Sequence, residues 1–203
     1  MPGLKQIEAT KQLLVEGRDA EKFFEALIKA MALYDLQIQN FGGVDELQGF
    51  LKALVRSGEF KAKVSSLGIV RDAEDNPAAA FQSVCGALRN VGLAVPTQPQ
   101  RAAELYPRVS VLILPDSSTR GMLETICLRA ISDQPIMKCI DEYFDCIQTK
   151  VGALPKNLDK AKVHAFLSSM TRPHLTFGQS AEAGYWPFAS PAFDSLKGFL
   201  IAL

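Results

Sequence analysis

The sequence predicts an α/β fold: a mainly parallel sheet flanked by helices, with a C-terminal helical extension. Three observations predict it. Short apolar runs alternate with amphipathic segments four times before Asp133, the order of a parallel sheet covered on both faces. Three of the apolar runs empty into carboxylates, at the strand ends where open parallel sheets collect their polar chemistry. Beyond Asp133 the strand-like runs stop and helical periodicity takes over.

Taken in order, "KQLLVEG" (Lys11–Gly17) is a buried first strand ending in an acid and a glycine. "DAEKFFEALIKAMALY" follows as a helix that Asp19 can cap, with Phe23, Leu27 and Met31 at helical spacing. "LQIQNF" (Leu36–Phe41) alternates as a second strand and stops at Gly42-Gly43. "VDELQGFLKALVRSG" is the second helix, with Gly58 as its stop signal. "KVSSLGIVRD" is the third strand, and "PAAAFQSVCGALRNVG" the third helix, with Pro77 in its favoured first turn. After a proline-broken loop, "VSVLILPD" (Val109–Asp116) is the most strand-like run of all, and "GMLETICLRAIS" starts the next helix. Residues 1–133 thus read as an α/β domain. Residues 134–203 read as a helical extension packed on it, with helices over "QPIMKCIDEYFDCIQTK", "NLDKAKVHAFLSSM" and "SPAFDSLKGFLIAL". "TRPHLTFGQSAEAGYWPFASP" joins these helices as a long aromatic loop.

Composition narrows the function classes. The 203 residues carry zero formal net charge. A protein that coats nucleic acid carries a basic excess, so any nucleic-acid binding here rests on a local patch or a partner. The N-terminus lacks a signal-like apolar run, and no later run is long enough to span a bilayer; the expected location is cytoplasmic. The four cysteines form no Cys-x-x-Cys pair, which argues against a zinc site or disulfide framework. Cys139 and Cys146, seven apart on a helix, are expected in the core. His164 and His174 have no carboxylates nearby in sequence and read as structural. No G-x-x-x-x-G-K-[ST] is present, so the chain is not itself a P-loop ATPase.

Like charges crowded where strands end repel one another, which raises the question of what holds them. Glu16 follows the first strand, Asp72 and Glu74 the third, Asp116 the last. If the strands are parallel, these ends share one edge of the sheet. Hard oxygen donors of this kind suit magnesium or manganese, which bind through one or two carboxylates plus waters and phosphate. Each residue also has a plainer use. Asp75 and Asn76 before Pro77 are better caps than ligands, and Asp116 in "PDSSTRG" fits a turn as well as a site. Arg18 and Arg71 either meet substrate phosphate or pair with the adjacent acids. Gly42 and Gly43 either let a backbone approach phosphate or form the turn. Trp186 in "GYWPF" stacks a base or plugs the core, the second being the commoner use of such a ring.

"LLVEGRDAEKFF" followed by "LGIVRDAEDNP" resembles the TOPRIM domain, a Rossmann-like fold shared by topoisomerases, bacterial primases, small ribonucleases and the OLD (overcoming lysogenization defect) nucleases. The family pattern is glutamate-glycine after the first strand and aspartate-x-aspartate after a later one. "NFGGVDEL" resembles the glycine turn between them, and "LPDSSTRGMLETICL", "KAKVHAFLSS" and "GYWPFASPAFDSLKGFL" are similar to a group of stand-alone TOPRIM-like bacterial proteins. The resemblance implies that Glu16 is a general acid/base or metal ligand, that Asp72 and Glu74 hold Mg2+ or Mn2+, and that Glu124 completes a second metal site. Two positions depart from the pattern: the second motif is aspartate-x-glutamate, and the acid expected four residues after Glu16 is Ala20, flanked by Asp19 and Glu21. Asp19 and Asp116 are therefore kept only as accessory acids.

The implied activity is metal-assisted hydrolysis of phosphodiesters, a magnesium-dependent nuclease. The alternative is an interaction subunit without catalysis of its own, or one that works with a separate ATPase. The tyrosines, Tyr34, Tyr106, Tyr143 and Tyr185, read as packing or loop residues rather than topoisomerase nucleophiles. A phospho-acceptor receiver domain wants paired acids after the first strand and a lysine after the last; "VEG" and "LPDSS" supply neither.

Overall fold

The computed structural model describes residues 3–203. Four strands, β1 (Lys11–Val15), β2 (Leu36–Asn40), β3 (Ser66–Asp72) and β4 (Arg108–Leu114), form one sheet in the order β2-β1-β3-β4. Every pairing is parallel. Asp72 is in register with Leu114, and Val15 with Asn40, so the carboxyl ends of the strands share one rim.

Both faces of the sheet are covered, which is why its strands read as nearly continuous apolar runs. Alternation decides which residue goes where. Leu14, Leu67, Ile69, Val109 and Val111 point to one face, packed by α2 (Leu47–Arg56), α3 (Gly58–Lys63) and α4 (Pro77–Asn90) through Phe50, Leu54, Phe60 and Val84. Leu13, Val15, Val70, Leu112 and Leu114 point to the other. That face is packed by α1 (Gly17–Ala30) and by α5 (Leu123–Ala130), α6 (Pro135–Val151), α7 (Leu158–Ser168), α8 (Phe177–Glu182) and α9 (Asp194–Ala202). Each fully buried Phe or Leu contributes roughly 1.5–3 kcal/mol. Residues beyond 133, such as Phe166, Trp186 and Leu200, therefore share one core with β1, β3 and β4.

Several local expectations are corrected. The first helix begins at Gly17 with Glu16 at its N-cap, and Asp19 does not cap it. Gly58 does not end helical structure: the hydroxyl of Ser57 accepts from the Phe60 N–H and starts α3. The expected aromatic loop contains α8, begun by a capping box between Thr176 and Gln179. Cys139 and Cys146 are exposed, because α6 turns Met137, Ile140 and Phe144 inward and leaves the cysteines on its outer side. Asn76 caps α4 through the Ala79 N–H at 3.0 Å. Trp186 is buried, its indole N–H donating to Ser180 Oγ at 2.9 Å. Among the described residues, no helix is long and apolar enough to cross a membrane.

Candidate active site

Two tight turns build the rim of the sheet, and one side chain holds both. Gly17, at φ +80°, turns the chain from β1 into α1. Gly42, at φ +88°, does the same after β2; this left-handed region favours glycine. The Oδ1 of Asn40, a buried residue, accepts from the Gly17 N–H at 3.2 Å and from the Gly42 N–H at 2.8 Å. Its Nδ2 donates to Glu21 at 3.0 Å. Asn40 thus locks the loop carrying Glu16 to the loop carrying Gly42 and Gly43.

Above this rim lies a cavity of about 360 Å³. It gathers Glu16 from the β1–α1 turn, Asp72 from the end of β3 and Glu124 from the first turn of α5. Asp72 Oδ1 accepts the N–H of Leu123 at 3.0 Å, which ties β3 to the start of α5. Burial, then the neighbouring Glu124 and Glu16, push the Asp72 carboxyl up to about 7, against smaller opposing effects from the Leu123 N–H and Lys160. Glu16 is also raised, by burial first and by Glu74, with Arg71, Lys160 and the Val44 N–H opposing. Glu124 is raised by burial, with Asp19 and Asp159 adding to it and Lys160 opposing. Three carboxyls in one recess hold their protons more tightly than they would in water because their charges are close and poorly solvated.

Cations share the recess. Arg18, Arg71 and Lys160 line it, as do Gly42 and Gly43. The Nε of Arg71 is buried and, among the described residues, has no hydrogen-bond partner. Lys160 comes from α7, and Phe177 from α8 supplies an apolar wall. The rim is therefore completed by the C-terminal helices.

The other candidate acids are placed differently. Glu74 is exposed, at φ +50°, and bridges to Gly121 through its backbone. It lines a neighbouring recess with Arg71 and Asp72, close enough to Glu16 to raise its pKa. Asp19 lies at the cavity wall, but its Oδ1 already accepts from Thr176 Oγ1 at 2.8 Å and the Gly178 N–H at 3.0 Å. Asp116 lies outside the cavity lining. Its carboxylate accepts from the N–H groups of Ser118 and Thr119 at 3.0 and 2.8 Å, from both hydroxyls, and from Arg129 at 3.2 Å. Despite some burial, those donors hold it well below the usual carboxylate range. Among the described residues, no three His, Cys, Asp or Glu side chains are grouped closely enough to hold a metal ion between them.

Asn40 and Lys160 escape a reading of the sequence. An asparagine closing a strand before Gly-Gly is a usable signal for the first, since its short amide reaches nearby backbone N–H groups. The second had no local signal, because its partners lie far away in the chain.

Comparison with solved structures places this chain beside the C-terminal region of the Burkholderia pseudomallei OLD protein, at 14% identity and a TM-score of 0.52. The match covers 97% of this chain and 99% of that one. The C-terminal region of the Xanthomonas campestris pv. campestris OLD protein matches at 12% identity and a TM-score of 0.47, over 96% and 95% of the two chains. The first of these likenesses is one of fold. No curated protein matches the sequence. The family described as "Protein of unknown function (DUF3226)" matches residues 10–203, and the chain belongs to it.

Proposed function

We propose that this protein is a magnesium- or manganese-dependent phosphodiester hydrolase of TOPRIM type, with nucleic acid as its substrate class. The observation that carries the reading is the convergence of Glu16, Asp72 and Glu124 from three separate elements on one cavity that also holds Arg18, Arg71 and Lys160. The donor set fits a hard divalent cation. Mg2+ needs only one or two carboxylates when substrate phosphate and water supply the rest, and a cation would relieve the repulsion that raises Asp72. Asp72 and Glu124 would hold the ion, with Glu74 beside them. When bound, the ion would polarise the phosphodiester and make an attacking water more acidic.

The remaining work falls to the chain itself. Glu16, partly buried beside Arg71, accepts the proton of the attacking water as general base. Arg71 and Arg18 orient the phosphate by charge-assisted hydrogen bonds, while the N–H groups of Gly42 and Gly43 are taken by Asn40 and Glu46 and form the turn. The test is calorimetric titration of Mg2+ and Mn2+, followed by cleavage of single- and double-stranded DNA and RNA. Asp72→Asn is expected to weaken metal binding roughly tenfold or more. Glu16→Gln is expected to slow cleavage roughly 10²–10⁴-fold, with a smaller effect on metal affinity. Unchanged metal binding and cleavage in Asp72→Asn would refute the reading.

A second reading has its own support. The structure this chain resembles over nearly its whole length is the C-terminal region of a longer protein, and the net charge here is zero. An interaction subunit acting with a separate ATPase fits both facts. Isolation from the native host distinguishes the two: protein recovered alone yet fully active on nucleic acid would exclude dependence on a partner.

A further inference from the structure

Lys160 is the third residue of α7, and its backbone is fixed on two sides. Asn157 Oδ1 accepts the Lys160 N–H at 3.0 Å. The neighbouring Asp159 carboxylate accepts from the Thr125 hydroxyl and so joins α7 to α5. Lys160 lines the cavity that holds Glu16, Asp72 and Glu124 and is exposed, which puts it at the solvent side of the recess. Among the described residues, no ion pair within 4.0 Å joins it to any carboxylate. Its charge nonetheless acts on all three acids. An ammonium thus faces three carboxylates across a gap, with the guanidinium of Arg71 also lining the recess.

We propose that Lys160 makes divalent-metal occupancy of this cavity conditional on a phosphate group. The inference rests on the metal-site reading above. A cation held at the mouth of a poorly solvated recess repels a second cation entering it. A phosphate in the gap reverses that effect: it neutralises the ammonium and offers oxygens to the metal. Because coupling between two ligands is reciprocal, phosphate tightens metal binding by the same factor as metal tightens phosphate binding. The helical C-terminal region thereby lets the metal load together with its substrate.

The test is titration of Mg2+ into the full chain, with and without inorganic phosphate and corrected for magnesium phosphate in solution. Wild type is expected to bind Mg2+ weakly alone and about fivefold or more tightly with phosphate present. Lys160→Met is expected to bind Mg2+ alone about three- to fivefold more tightly than wild type, a size set by one exposed charge in a partly solvated recess. Its gain from phosphate should fall to roughly half the wild-type gain or less. Lys160→Arg keeps the charge and should behave as wild type, and Lys160→Gln substitutes for the methionine variant if that fails to fold. A merely structural role would weaken metal binding with and without phosphate alike. Lys160→Met binding Mg2+ no more tightly, or keeping the wild-type gain from phosphate, overturns the proposal and leaves the metal site standing. Wild type that binds no Mg2+ under either condition overturns both.

Discussion

Asp72 carries the sharpest consequence at the scale of a single residue. Its carboxyl is pushed up to about 7, by burial first and then by Glu124 and Glu16. A carboxyl whose folded pKa lies above its unfolded value of 3.8 binds more protons in the native state. Its contribution to stability is present below that unfolded value and is lost as pH rises through about 7. Converted at about 1.4 kcal/mol per pKa unit, the cost is on the order of 4 kcal/mol. Urea unfolding in chelator should therefore show wild type losing stability between about pH 4 and about pH 7 relative to Asp72→Asn. The asparagine still accepts from the Leu123 N–H, so the comparison isolates the charge. Parallel stability curves for the two proteins would show that Asp72 ionises normally. Glu16 and Glu124 are raised in the same direction, so Asp72→Asn keeps some of the slope.

Among elements, the seam between α1 and α8 decides what Asp19 is for. The residue looks like an N-cap or spare acid in sequence. In the fold its Oδ1 receives both Thr176 Oγ1 and the Gly178 N–H. Gly178 sits so close that an added Cβ would stand 2.7 Å from Lys22 Cβ and 2.8 Å from the Asp19 carbonyl oxygen. Phe23 and Phe177 stack across the same seam, their centroids 5.6 Å apart. Asp19→Ala should cost roughly 1.5–3 kcal/mol, the usual worth of hydrogen bonds to a charged group, and leave Mg2+ affinity within about threefold. A large loss of metal affinity without loss of stability would make Asp19 a ligand instead of a tether. The seam also marks where reading the sequence stops. The strands, α1 and the acids at the strand ends are legible because they follow local periodicity and local turn chemistry. Helix α8 was hidden because six residues between turns carry too little periodicity to stand out. Asp19 and Lys160 take their roles from residues distant in the chain, and no local pattern encodes those residues.

For the whole molecule, the question is whether sheet and C-terminal helices fold as one body. Gly68 and Leu203 give a direct way to ask it. Along β3, Leu67 and Ile69 face the core under α2–α4, while Val70 faces the core under α1 and α5–α9. Gly68 shares the second face by alternation. An added Cβ at Gly68 would lie 2.7 Å from Leu203 Cδ1 and 2.9 Å from Leu13 Cδ1. The missing side chain is thus the socket in which buried Leu203 sits. Leu203→Ala removes that packing and is expected to cost roughly 2–5 kcal/mol. Gly68→Ala crowds it, at roughly 1–3 kcal/mol. The double variant should cost less than the sum, because the shortened side chain at 203 leaves room for the new methyl; a coupling of roughly 0.5–3 kcal/mol is expected. Wild type should also unfold in a single transition, with the sheet and the C-terminal helices lost together. Strict additivity and two separate transitions would divide the chain into independent bodies. That outcome would also detach Lys160 from the carboxylates it faces, since the shared core and the Thr125–Asp159 hydrogen bond together hold α7 beside the cavity.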